Sequence, residues 1–324
     1  MKRILIAILG VAALAACTKT EVVSISEGNT IKFDNAFVGN PTKAGLPTGD
    51  QYGAANLPPH FFVYANTGAT DADKVFDGEK VYKDNGMWVY DNLKKWESGK
   101  TYRFAAFAVK DESLPTGNAA FDYGSHTLTI ADYISDNGNQ RDLLMATSIQ
   151  TLNPQNEAVK FTFKHALSMV KFTFKSSLGD KNPITISDFK ITGVNTTGTA
   201  KIGTDNTVKW TSSSVPATTG TEFTDDEWDN VTTSDSQSSD EFVFIPQGDV
   251  TVTVTFTATV AGLDPKPLKA VINLGTDAWK PGLRYNYIAT ITGTDMDVIE
   301  FAPPVVEDWN DYTDVPDNDL TPGA

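Results

Sequence analysis

Along residues 159–174 the apolar positions alternate with period two and then change phase. Val159, Phe161, Phe163, Leu167 and Met169 stand at odd positions, whereas Val170, Phe172 and Phe174 stand at even ones. Successive side chains of a strand point to opposite faces, so a one-residue slip turns the whole apolar set over. One strand cannot serve a single core through such a slip without a bulge or a break. The stretch therefore reads as the last strand of one β-domain running into the first strand of the next.

The same reading extends along the chain. Ile31-Lys32-Phe33 begins the first strand, and residues 40–47 form a loop by their two prolines and glycine. Residues 61–64 make a short strand. Residues 81–90 make a hairpin around Asn85-Gly86, the pair that a two-residue type I′ turn prefers. Residues 102–109 are apolar enough for a strand buried on both faces, and 127–130 and 143–146 are shorter candidates. Past the joint come 184–186, 189–191 and a strand in 241–248 that ends at Pro246. Residues 250–260 alternate most cleanly, with Val250, Val252, Val254, Phe256, Ala258 and Val260 on one face and mostly threonines on the other; residues 268–274 pair with them. Pro281-Gly282 turns the chain into Tyr285, Tyr287, Ala289 and Ile291, and 298–301 and 305–306 precede Trp309. Residues 211–240, rich in Ser, Thr and Asp, read as a surface excursion in which only Phe223 and Trp228 invite packing. Short strands at this spacing predict an all-β chain of sandwiches.

Composition sharpens this. A chain of 324 residues with 40% hydrophobic and 21% charged residues can bury two cores. Its formal charge of −15 argues against a nucleic-acid partner, which needs a basic face, and suits a soluble exported protein. Lys2 and Arg3 form a charged leader start, and the apolar run 4–16 is too short to span a bilayer. Leu14-Ala15-Ala16-Cys17 is similar to a bacterial lipoprotein cleavage site, and Cys17 is the only cysteine, so no disulfide can form within the chain. Each acyl methylene buried in a membrane contributes about 0.8 kcal/mol, enough for a multiply acylated Cys17 to hold the protein firmly. The expected organisation is a signal peptide (1–16), a tether (17–30), two β-sandwich domains (31–168 and 169–309) and an acidic tail (310–324).

Catalytic signatures are missing. There is no His-Glu-x-x-His, nucleophile elbow, phosphate loop or dinucleotide fingerprint. His60, His126 and His165 lack metal-ligand spacing, and His165 sits on an apolar phase as a core residue would. Asp311, Asp314, Asp317 and Asp319 lack the glycine and glutamate of a calcium loop and read as a solvated tail. Trp88, Trp96 and Trp309 stand in strand contexts that suggest core. No enzyme, cofactor or metal is expected. A monomeric surface lipoprotein that binds glycans, through the Ser/Thr/Asp excursion and scattered aromatics, is the alternative to a structural role.

Several strings then occur together and in order. They are residues 88–90, Trp96, 102–107 (Tyr-Arg-Phe-Ala-Ala-Phe), 142–147 (Asp-Leu-Leu-Met-Ala-Thr), 161–167 (Phe-Thr-Phe-Lys-His-Ala-Leu), 244–247 (Phe-Ile-Pro-Gln), 279–287 (Trp-Lys-Pro-Gly-Leu-Arg-Tyr-Asn-Tyr) and 305–309. With the leader they resemble the Mfa-like fimbrillin family, lipoprotein precursors of type V pilus subunits. The resemblance implies two tandem transthyretin-like β-sandwiches and export to the outer membrane through lipid on Cys17. It also implies a trypsin-like maturation protease that cuts after a basic residue in the loop following the first strand, a position that Lys43 matches. The strand released would include Ile31 and Phe33, and a strand from another fimbrial subunit would fill the groove it leaves. The resulting fimbrium would serve adhesion to a host or bacterial surface receptor. The tail after Trp309 offers only Tyr312, Val315 and Leu320 as apolar residues, so 298–309 is the better donor candidate.

Overall fold

The computed structural model describes residues 29–34, 37–38, 60–109, 119–138, 140–151, 157–212, 222–225, 227–276, 278–292 and 299–309. Among them are twenty-one strands and no α-helix. The first nine are β1 (Phe37–Val38), β2 (His60–Asn66), β3 (Lys74–Asp84), β4 (Met87–Val89), β5 (Thr101–Val109), β6 (Ala119–Asp122), β7 (Thr127–Ile134), β8 (Leu143–Thr151) and β9 (Thr162–His165). Then follow β10 (Ser168–Ser176), β11 (Ile184–Thr192), β12 (Thr197–Ile202), β13 (Val208–Ser212), β14 (Phe223–Thr224), β15 (Trp228–Val231) and β16 (Gln237–Ser238). The last are β17 (Phe242–Phe244), β18 (Thr251–Val260), β19 (Lys266–Asn273), β20 (Leu283–Ile291) and β21 (Val305–Asp308).

A seven-stranded sheet, in the order β1-β9-β8-β5-β2-β3-β4, has a core on each face. One face carries Phe61, Val63, Phe104, Ala106, Phe161 and Phe163. The other carries Phe107, Leu143 and Met145, and packs on Leu128, Ile130, Tyr133, Ala200 and Ile202 of a four-stranded sheet, β13-β12-β7-β6. Central strand β5 feeds both cores, which is why residues 102–109 are apolar almost without interruption. The β3–β4 hairpin turns at Asn85 and Gly86 with φ of 49° and 81°, the paired positive values that a type I′ turn demands.

The remaining strands form a sandwich of two five-stranded sheets. One is β16-β10-β20-β21 with β17 beside β10; the other is β14-β11-β18-β19 with β15 beside β11. Phe172, Phe174, Tyr285 and Tyr287 of the first interleave with Ile186, Phe189, Val254 and Phe256 of the second. Strand β18 alternates in and out along its length, as its sequence requires, and pairs with β19.

The phase slip marks a physical change of sheet. The stretch breaks at Ala166-Leu167, with β9 in the seven-stranded sheet and β10 in the next. Its side chains reach three cores in turn: Phe161 and Phe163 the first, Leu167 and Met169 the second, Val170 to Phe174 the third. Beyond this joint, β12 turns back to pair with β7 and β13 pairs with β12, so the four-stranded sheet draws on both sides of the 168/169 division.

Two expectations are corrected. Residues 184–186 and 189–191 are one strand, β11, whose register against β18 shifts between Ser187 and Lys190. Asp188 sits in the shift with φ of 53°, and this bulge explains the even-to-odd change of apolar phase. The described part of the 211–240 excursion carries three short strands, β14, β15 and β16, and buries Val231 as well as Phe223. Its polar composition reflects thin edge strands with few inward positions.

Candidate functional site

The first described segment closes the seven-stranded sheet upon itself. Residues 31–34 alternate, with Ile31 and Phe33 buried and Lys32 and Asp34 exposed. On one flank the segment runs antiparallel to the chain after β4: the Ile31 N–H donates to the Lys94 carbonyl and the Trp96 N–H to the Asn29 carbonyl, both at 2.9 Å. On the other flank it runs parallel to the chain entering β9: the Asp34 N–H donates to the Val159 carbonyl at 3.0 Å and the Val159 N–H to the Lys32 carbonyl at 2.7 Å. Strand β1 continues this parallel pairing against Thr162 and Phe163. Phe33 thus bridges Trp88 on one side and Val159 on the other. The segment is a stave between two sheet edges.

Its side chains fill the space those edges enclose. The Phe33 ring contacts Phe61, Phe76, Tyr90, Phe104 and Phe161, with centroids 5.6–6.3 Å apart; four contacts are edge-on and Phe161 is stacked. Burying side chains such as Ile31 and Phe33 contributes roughly 1.5–3 kcal/mol each, and well-placed aromatic pairs add to it. The Tyr90 hydroxyl donates to the Ile31 carbonyl at 2.7 Å inside the core and accepts from the Lys94 N–H at 3.2 Å. Burial pushes the Tyr90 phenol above its ordinary range, so it stays protonated and able to donate. Asn29 Nδ2 donates to the Trp96 carbonyl at 2.6 Å and holds the start of the segment.

Sequence reasoning placed Ile31 and Phe33 on this strand, and the structure brings both into one core. Cys17, Lys43 and the acidic tail lie outside the described residues. Tyr90 was missed as a functional residue; the available signal was a tyrosine, rather than a phenylalanine, directly after a hairpin strand. His165 is buried between Asp142, whose Oδ2 lies 2.7 Å from Nδ1, and the Trp309 ring. None of the six tryptophans is exposed, and Trp228 stacks on Phe174 at 5.5 Å, so these rings serve packing. Among the described residues no group of three His, Cys, Asp or Glu side chains is placed to hold a metal ion. Unpaired-edge chemistry is what the arrangement offers: removal of the stave would expose backbone groups on two edges and apolar pockets between them.

Comparison with known proteins gives a consistent picture. A family model described as fimbrillin-like matches residues 48–309. A fimbrial protein from Bacteroides vulgatus superposes with a TM-score of 0.60 at 19% identity, covering 87% of this chain and 99% of that one. A candidate cell adhesion protein from Bacteroides uniformis gives 0.52 at 18% identity, over 88% and 99% of the two chains. At these identities the likeness is one of fold. Comparison with curated protein sequences gives no match.

Proposed function

The chain belongs to the fimbrillin-like family, and from that premise we propose a pilin subunit assembled by protease-triggered strand exchange. The family is structural and adhesive rather than enzymatic, and membership supports a place at the cell surface among other fimbrial subunits. In this reading the precursor is exported as a lipoprotein through Cys17 and held at the outer membrane. A trypsin-like protease cuts after Lys43 and frees the segment bearing Ile31 and Phe33. The division into residues 31–168 and 169–309 describes the subunit's two sandwiches, with 197–212 reaching back across it.

The observation that carries the reading is the double-sided bonding of residues 29–34. A strand joined to the fold on one edge would leave a single open edge behind. This one closes the sheet, so its loss leaves two facing edges and an empty apolar slot, which an extended strand from another subunit satisfies. Within this chain the donor is drawn from 298–309.

The test is mass spectrometry of the native N-terminus in sheared-surface and membrane fractions. A sheared form beginning at Ala44 is the expected result, with acylated Cys17 in the precursor. A Lys43→Ala variant that assembles normally while keeping its N-terminal segment would overturn the proteolytic step.

A further inference from the structure

The outer face of the sheet formed by β17, β10, β20 and β21 carries a pocket that core packing does not explain. Met169 of β10 and Asn286 of β20 form its floor, Lys171 and Glu241 one wall, and Val305 and Glu307 of β21 the other. Strand register sets this layout. Asn286 stands between Lys171 and Val305 across the sheet, and Arg284 between Met169 and Glu307. Its charges are only partly compensated: the Arg284 guanidinium binds the Glu241 carboxylate, whereas the Lys171 ammonium and the Glu307 carboxylate have no partner among the described residues. Asn286 is the deepest polar group, only 7% exposed, and its Oδ1 accepts from the Thr173 hydroxyl at 2.8 Å. Thr173 in turn lies 2.8 Å from the Ser238 hydroxyl. This chain orients the amide, so Asn286 Nδ2, without a protein acceptor among the described residues, is left as a donor on the pocket floor.

We propose that this pocket binds a hydroxylated carboxylate, a single uronic-acid ring, with the carboxylate on Lys171 and Asn286 Nδ2 and ring hydroxyls donating to Glu307. The polarity follows from the unpaired groups. A cation and an amide donor stand side by side on β10 and β20, and the free acceptor stands across on β21. Charge-assisted hydrogen bonds are stronger than neutral ones, and both charged ends are open to make them. A neutral sugar would leave Lys171 uncompensated, and a simple carboxylate would leave Glu307 so. Between the two ends Met169 and the half-exposed Val305 offer apolar contact to the C–H face of a ring. Only β20 separates β10 from β21, a spacing of about 10 Å that suits one ring. The pocket is complete only while β21 lies on β20, so the bound ring bridges β10 to β21 and holds that edge strand in place. The site belongs to a subunit with its own β21 docked and does not depend on how subunits join.

The experiment titrates purified, isotope-labelled full-length protein with sodium glucuronate, glucose and sodium acetate, read by NMR. Glucuronate is expected to shift the Asn286 side-chain amide saturably and to raise exchange protection across Val305–Asp308. Glucose and acetate should each bind at least about tenfold more weakly, because each satisfies one end only. Lys171→Gln changes a half-buried surface side chain, so its spectrum should stay that of the folded protein while glucuronate binds at least about tenfold more weakly. Glucuronate affinity that is matched by glucose, or unaltered in Lys171→Gln, overturns the assigned polarity. Affinity matched by acetate overturns the sugar ring. A fixed Asn286 amide resonance up to about 10 mM glucuronate overturns the site itself.

Discussion

The imidazole of His165 lies flat on the indole of Trp309, with centroids 3.8 Å apart and planes 11° from parallel. The contact ties the end of β21 to the joint between β9 and β10. Backbone bonds extend the tie, since the Trp309 N–H donates to the Gly282 carbonyl at 2.7 Å and the Gly282 N–H donates to the Leu167 carbonyl at 2.8 Å. Trp309→Ala should therefore cost about 3–5 kcal/mol, as large-to-small changes of buried aromatics do, and Trp309→Phe markedly less. Amide exchange should rise across Val305–Asp308 in the alanine variant while β18 stays protected. Unchanged exchange at β21 would show that Trp309 does not anchor it.

Phe33 makes the corresponding anchor at the other end of the chain. Phe33→Ala removes a ring held by five others and should destabilise the protein by about 3–5 kcal/mol. Because the segment is bonded to both flanks, the Ile31 and Val159 amides should lose exchange protection together. A variant that loses protection at Ile31 alone would contradict the two-sided closure.

Two glycines with positive φ separate backbone strain from collision. At Gly86 (φ 81°) an added Cβ meets nothing within 4 Å, so Gly86→Ala should cost only the left-handed strain of about 1–2 kcal/mol. At Gly193 (φ 85°) the same atom would collide with the Thr251 carbonyl oxygen, which belongs to the paired strand β18. Gly193→Ala should cost about 3 kcal/mol or more. Urea denaturation of the two variants side by side gives the ranking.

Exposed turn aspartates give the fold an acid sensitivity. The Ser125 side chain and the Ser125 and Gly124 N–H groups hold the Asp122 carboxyl below its ordinary range. Ser234 N–H does the same for Asp180, and Lys209 with the Thr207 N–H for Asp205. A carboxyl whose folded pKa lies below its unfolded value stabilises the fold above the unfolded pKa, near about 3.9 for aspartate. That contribution is lost as pH falls through the folded pKa. Urea midpoints should decline below about pH 4, and a variant with Asp122, Asp180 and Asp205 changed to Asn should show a flatter acid limb. Parallel acid limbs would refute the assignment.

Local alternation carried most of the element-level reading. The hairpin at Asn85-Gly86, the strand at 251–260, the doubly buried strand at 102–109 and the break inside 159–174 were all legible, because a period of two and a turn dipeptide are properties of neighbouring residues. Ile31 and Phe33 were legible as a strand for the same reason. The bulge at Asp188 was written in the phase change between Ile186 and Phe189, but read as two strands.

What the sequence determined by itself was where this chain extends, where it turns and which face of each strand is apolar. The tertiary structure decided which strands meet. Thr197–Ile202 pairs with Thr127–Ile134, β10 lies parallel to β20, and residues 29–34 close a sheet whose flanks come from residues 88–96 and 159. Those choices join segments 55 to 126 residues apart. They follow from how three cores can be filled at once, and no local pattern encodes that. The Tyr90 hydroxyl meets the Ile31 carbonyl, 59 residues away, only because the fold brings them together.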